Sequence, residues 1–287
     1  MTRFLDPAEA VSDLVPTAAT VAVGGMHMSA APMALVRELV RQEVRVGRLL
    51  TSPSASLQAD LLIAARLVDE IMSPYVGFEH LGLAPSFRAA VEGGDLRVAE
   101  CDEGSLTHAL YAGAGGIPFL ACPPGVELTD LPSVNEDFYR TAVDPFTGDE
   151  RLVVPGIRPD VALVACAVAD EDGNVAFDRF PFTDRLMALA AHTLIVQVER
   201  IVPAGSLADR PAGTTLPSFV VSAVVEVAGG CHPTGSPGSY PRDEQAIVAY
   251  LRAARNPAAL AEWLDRAVRS FDEARGASVV AGLEEAT

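Results

Sequence analysis

Short apolar runs alternate along this chain with segments whose apolar residues recur every three or four positions, the pattern of a mostly parallel sheet covered by helices on both faces. Residues 20–23 predict a first strand, and the Gly24-Gly25 turn follows it. Pro32 suits the start of a helix in which Met33, Val36, Leu39 and Val40 share a face. Strands are predicted over 48–51, 68–72 and 75–76, with a helix over 57–65. A helix over 85–92 stops at Gly93-Gly94 before a strand over 96–100, and one over 105–114 stops at Gly115-Gly116 before a strand over 117–121.

Residues 123–156 are rich in Pro, Asp and Gly with little periodicity, and predict a long functional loop, a lid or a boundary. Beyond it, 161–168 is an uninterrupted apolar run of buried-strand length, 172–174 a tight turn, and 175–177 a returning strand. A helix over 183–191, strands over 193–198 and 219–227, and a helical remainder broken at Asn256-Pro257 complete the order. One α/β domain over 1–275 is expected, with a tail over 276–287 that frays at its final LEEAT.

At 287 residues the chain is long enough for a large core. The net charge of −17 repels polyanions and excludes DNA and RNA as partners, and it requires any phosphate-bearing ligand to find local help. No run approaches the roughly 20 apolar residues of a membrane span, and MTRFLDPAEA lacks a signal peptide's apolar core. A cytoplasmic protein without a membrane role is expected. Cys101, Cys122, Cys166 and Cys231 are widely separated, which predicts reduced buried thiols. Five scattered His with no acidic partner at ligand spacing predict no metal site.

Five runs in order resemble the A (alpha) subunits of family I coenzyme A transferases, the group that includes glutaconate CoA-transferase. They are VAVGGMHMSAAPMALVREL from Val21, YVGFEHLGLAPSFRAAVEGG from Tyr75, GIPFLAC from Gly116, RPDVALVACAVADEDGNV from Arg158 and VVEVAGGCHPTGSPGSYPRDEQ from Val224. The resemblance implies an open α/β fold of the CoA-transferase (NagB/RpiA-like) type and an αβ or α2β2 assembly with a B subunit. It also implies an active site at the A/B interface, with acyl-CoA and a small carboxylic acid as substrates. In such transferases a glutamate of the B-type partner attacks the acyl-CoA and passes through an acyl anhydride and a glutamyl-CoA thioester. The segment Glu100-Cys101-Asp102-Glu103-Gly104 is also similar to steroid ring-opening CoA-ester hydrolases, in which a glutamate of the A-type polypeptide does the chemistry. A noncatalytic binding role is the third alternative.

Glu103 has two readings. It is a catalytic acid or base whose neighbours Glu100 and Asp102 crowd a carboxyl pKa upward, or a charge in the first turn of a helix capped by Asp102. Gly24 and Gly25 can bring backbone amides close to a thioester oxygen or a pyrophosphate, or simply make a tight turn. His27 is a candidate substrate contact by its place in the resembling segment. Ser52 and Ser54 follow the second strand, where α/β sites gather, and their hydroxyls suit a carboxylate or carbonyl, or plain loop polarity. Gly230 permits irregular backbone after the last strand, and His232 is either a hydrogen-bond donor to substrate or a structural histidine.

Overall fold

The computed structural model describes residues 2–178, 181–273, 278 and 280–282. The expected tail over 276–287 falls largely outside these residues, and LEEAT lies wholly outside them.

The chain opens with β1 (Arg3–Phe4) and α1 (Pro7–Leu14), which the hydrophobic pattern did not flag. The helix start is nevertheless written locally. Asp6 accepts from Glu9 N–H, the Glu9 side chain accepts from Asp6 N–H, and Pro7 fills the first turn, so a capping box holds the end. Next come β2 (Ala19–Val23), α2 (Met33–Arg41), β3 (Val46–Thr51), α3 (Leu57–Ala64), β4 (Val68–Met72), α4 (Pro85–Gly93), β5 (Arg97–Val98) and α5 (Glu103–Gly115). The middle holds β6 (Phe119–Ala121), α6 (Leu131–Val134), β7 (Arg140–Val143) and β8 (Glu150–Pro155). The final part holds β9 (Val161–Asp170), β10 (Val175–Ala176), α7 (Asp184–Ala190), β11 (Thr193–Val202), β12 (Thr215–Leu216), β13 (Ala223–Glu226), α8 (Glu244–Ala253) and α9 (Pro257–Leu264).

The main sheet runs β1-β13-β11-β9-β2-β3-β4-β5, every neighbouring pair parallel, with β10 and β12 added antiparallel beside the far end of β9. Alternating residues enter the two cores. Val21, Leu49, Ile71, Leu163 and Ile195 join one, with side chains of α1, α2, α3 and α8. Ala22, Leu50, Met72, Val164 and Val196 join the other, with side chains of α5 and α7. Each fully buried Leu, Ile or Val stabilises the fold by about 1.5–3 kcal/mol before entropy is counted. Both faces are covered, as the uninterrupted apolar strands predict. Among the described residues no helix is long and apolar enough to cross a membrane.

Four departures have local causes. Residues 123–156 are not a plain loop: β7 and β8 form a hairpin that, with β6, makes a separate three-stranded antiparallel sheet. These strands are mostly exposed, so they carry little of the apolar alternation that marks a buried strand. The strand expected over 219–227 pairs only from Ala223, because Pro217 introduces a 3-10 turn over Ser218–Val220. At 96–100 only Arg97–Val98 pair, at the sheet edge. Of 75–76, Val76 makes a single bridge to Ala55.

One buried polar group braces the helical face. The Asp60 carboxylate accepts from Tyr250 O–H at 2.6 Å and Phe87 N–H at 2.6 Å, and the Ser86 and Tyr250 hydroxyls lie 3.1 Å apart. Burial pushes the Asp60 carboxyl up, against the hydrogen bonds from Tyr250, Phe87 and Ser86. Tyr250→Phe leaves a buried carboxylate short of a donor and is expected to lower stability by about 1–3 kcal/mol, read from urea midpoints at unchanged slope. An unchanged midpoint would show that the bond contributes nothing net.

Candidate active site at the switch between β2 and β9

From β2 the strands step outward through β3 and β4 to β5; from β9 they step the opposite way through β11 to β13. Where the order reverses, connections leave the carboxyl ends on opposite faces and a crevice opens. β2 and β9 pair as far as Val23 and Leu163, and β9 runs on past the end of its neighbour to Asp170.

A cleft of about 410 Å³ lies there, lined by Met26 after β2, Pro53 after β3, Glu103 and Thr107 on α5, and Thr183 and Arg185 around the start of α7. Pro181, Phe182 and Leu186 add apolar surface. Glu103 is exposed in the first turn of α5. Its neighbour Asp102 is the cap: one carboxylate oxygen accepts from Ser105 N–H at 2.9 Å and the other from Tyr139 O–H at 2.9 Å. The first-turn reading of the segment is therefore the one the structure shows, with Asp102 as the cap, and Glu103 also lines the cleft. The expected upward crowding is corrected at Asp102: burial alone would raise its pKa, but the bonds from Ser105 and Tyr139 hold it below the usual carboxylate range. The Cys101 thiol is the group driven up, to about 12, by burial and then by Asp102 and Glu100.

The turn after β2 is held from within. Gly24 N–H donates to Leu163 C=O at 2.9 Å, and Gly25 N–H donates to both oxygens of the buried Asp184 carboxylate at 3.1 Å. Neither amide is left over for an oxyanion, so the two glycines shape the cleft instead. Gly25 has φ +91°, and a Cβ there would meet Ala31 Cα at 2.6 Å. The Ser52 hydroxyl donates to Gly25 C=O and the Ser56 hydroxyl to His27 C=O, which makes both serines struts of the same turn. Ser54, half-buried, accepts from His27 N–H through its carbonyl at 2.7 Å. The His27 ring points toward Glu79, with Nδ1 3.4 Å from Oε1. Met26 and Pro53, each adjacent in sequence to an expected residue, are the ones that reach the cleft.

The segment after β13 lies apart from Glu103. Gly230 N–H donates to Val227 C=O, and a Cβ at this glycine would meet Gln197 Nε2 at 2.6 Å. His232 pairs with Asp243 at 2.9 Å, stacks on Phe271, and lines a separate apolar cavity with Met33 and Trp263. Neither lines the Glu103 cleft. Sequence reasoning missed Asp184, Thr183 and Arg185, which lie in or beside a segment legible only as a helix.

The family model described as Coenzyme A transferase matches residues 4–227. The A subunit of the 3-oxoadipate CoA-transferase of Pseudomonas knackmussii is 34% identical over 273 residues, 94% of each chain. The cholesterol ring-cleaving hydrolase IpdA subunit of Rhodococcus jostii is 30% identical over 278 residues, 93% of this chain and 92% of that one. The chain also matches an uncharacterized protein of Archaeoglobus fulgidus at 32% identity, spanning 60% of its length. In fold, the crystal structure of glutaconate coenzyme A-transferase from Acidaminococcus fermentans aligns with a TM-score of 0.87 at 24% identity, over 96% of this chain and 92% of that one. The match runs from β1 to β13 and takes in every residue that lines the cleft, and the chain belongs to the coenzyme A transferase family, among its A subunits.

Proposed function

We propose that this chain is one wall of a heteromeric CoA-transferase, exchanging CoA between carboxylic acids in the cytoplasm with the nucleophilic glutamate on a partner B subunit. Residues 1–275 serve as its single domain and 276–287 as a tail, in an αβ or α2β2 assembly. The observation that supports it most is the cleft itself, a lined but open wall at the strand switch with one exposed carboxylate, in a chain alike over 94% of its length to the A subunit of a named transferase. In the reaction the partner's carboxylate attacks the thioester carbonyl, the C–S bond breaks, and an anhydride and CoA thiolate form. The thiolate then attacks the glutamyl carbonyl and releases the free acid; the incoming acid runs both steps backward. Gly24, Gly25 and Ser52 shape the wall through the turn, with His27 and Ser54 beside it, while Gly230 and His232 stand apart from it.

Coexpression with the B-type partner, addition of acyl-CoA and mass spectrometry of the peptides test the reading. Expected is a CoA adduct, less one water, on a partner glutamate. An adduct on Glu103, or thioester hydrolysis with no adduct, overturns it.

A second reading, a ring-opening hydrolase with Glu103 as base, is favoured by the place of Glu103 in the cleft and by the likeness to the IpdA subunit. On the first reading, Glu103→Gln leaves CoA exchange within about tenfold. A loss of roughly 10²–10⁴-fold, the range typical of a removed general base, assigns the chemistry to Glu103 instead.

A further inference from the structure

Two residues that line the cleft each carry a buried polar atom with no protein partner among the described residues: Arg185 at Nε and Thr183 at Oγ1. Buried donors are nearly always satisfied, and two such orphans on residues that line one cavity point to a place where a ligand completes the bonding. The chain contains no lysine, so arginine supplies every basic side chain other than histidine. Among the described residues the other arginines without a side-chain or backbone partner, namely Arg66, Arg200, Arg252, Arg255, Arg266 and Arg269, are exposed to water. Arg185 is half-buried, forms no ion pair with Glu103 or any other described carboxylate, and faces an apolar wall of Met26, Pro53, Pro181 and Leu186. In a chain of net charge −17, a partly desolvated guanidinium left unpaired is a feature that a bound anion offsets.

We propose that Arg185 and Thr183 bind the distal carboxylate of the acyl group, so that the preferred acid is an ω-dicarboxylate with an apolar body. This rests on, and deepens, the reading of the cleft as an acyl-CoA site. The guanidinium fork matches a carboxylate, its Nε–H donating to one oxygen and an Nη–H to the other, and the Thr183 hydroxyl adds a third donor. A phosphate of CoA presents the same oxyanion chemistry. A single cation in an apolar wall suits one negative charge better than the several of the CoA phosphates.

Calorimetric titration of the reconstituted A/B complex with glutarate, with valerate and with free CoA separates the sources. Glutarate and valerate share a chain length and differ in the distal carboxylate. Expected is that wild type binds glutarate roughly 10- to 100-fold more tightly than valerate, and that Arg185→Met removes this preference while the Kd for CoA stays constant. Thr183→Val is expected to reduce the preference about three- to tenfold. Retained CoA binding shows that each variant is folded. A wild-type complex without the preference, an Arg185→Met complex that keeps it, or one that loses CoA affinity with the ratio intact overturns the assignment. Because the readout is binding, a complex that fails to exchange CoA yet shows the Arg185-dependent ratio rejects the transferase reading and retains this one.

Discussion

Gly113→Ala is expected to destabilise the protein by at least about 3 kcal/mol, a fall in Tm of roughly 5 °C or more for a chain of this size. A Cβ at position 113 would lie 1.8 Å from the Ile157 carbonyl oxygen and 2.6 Å from its carbonyl carbon. Both are backbone atoms, so no rotamer change relieves the overlap. The contact is part of how α5 is fastened to the segment entering β9, since Ile157 N–H donates to Ala109 C=O at 2.9 Å. Moving α5 away would break that bond and shift Glu103, at the start of the same helix. Thermal unfolding by circular dichroism checks this; a Tm within about 1 or 2 °C of wild type would mean that the helix does not approach so closely.

Asp184→Ala is expected to have the largest effect on the reaction short of removing a reacting group: about 10²-fold in kcat/KM and about 2–3 kcal/mol in stability. Asp184 is 4% exposed, and its carboxylate is the acceptor for Gly25 N–H, while Ser52 holds the carbonyl of the same residue. Without it a buried amide loses its partner. The turn that carries Met26 into the cleft then relaxes, and displacements of about 1 Å at a reacting centre cost about this much rate. Asp184→Asn keeps one acceptor oxygen and is expected to recover most of the stability. Steady-state kinetics and urea midpoints of both variants read the two effects. An alanine variant within about threefold of wild type in kcat/KM would show that the turn holds without the carboxylate.

Much of this architecture is legible in local pattern. The run at 161–168 is β9 because a parallel strand buried on both faces needs apolar residues at every position, and its ten residues are all buried. Glycines at 94 and 116 adopt left-handed φ and close α4 and α5, as their places after the apolar periods predict. The hairpin of β7 and β8 escaped for the converse reason: exposed strands need no alternation. Helix α1 was readable from Asp6, Pro7 and Glu9, but its caps carry more of the signal than its short apolar stripe.

The candidate site divides along the same line. Short-range order determined that Gly24-Gly25 would turn the chain after β2 and that Asp102 would cap α5, because turn and cap preferences act over a few neighbouring residues. Only the tertiary structure decided that Asp184, 159 residues away, accepts the Gly25 amide, that Glu103 shares a cleft with Arg185, and that His232 pairs with Asp243 apart from them. These pairings are set by strand order, and strand order is chosen by the burial of whole faces, a property that no local window of residues contains.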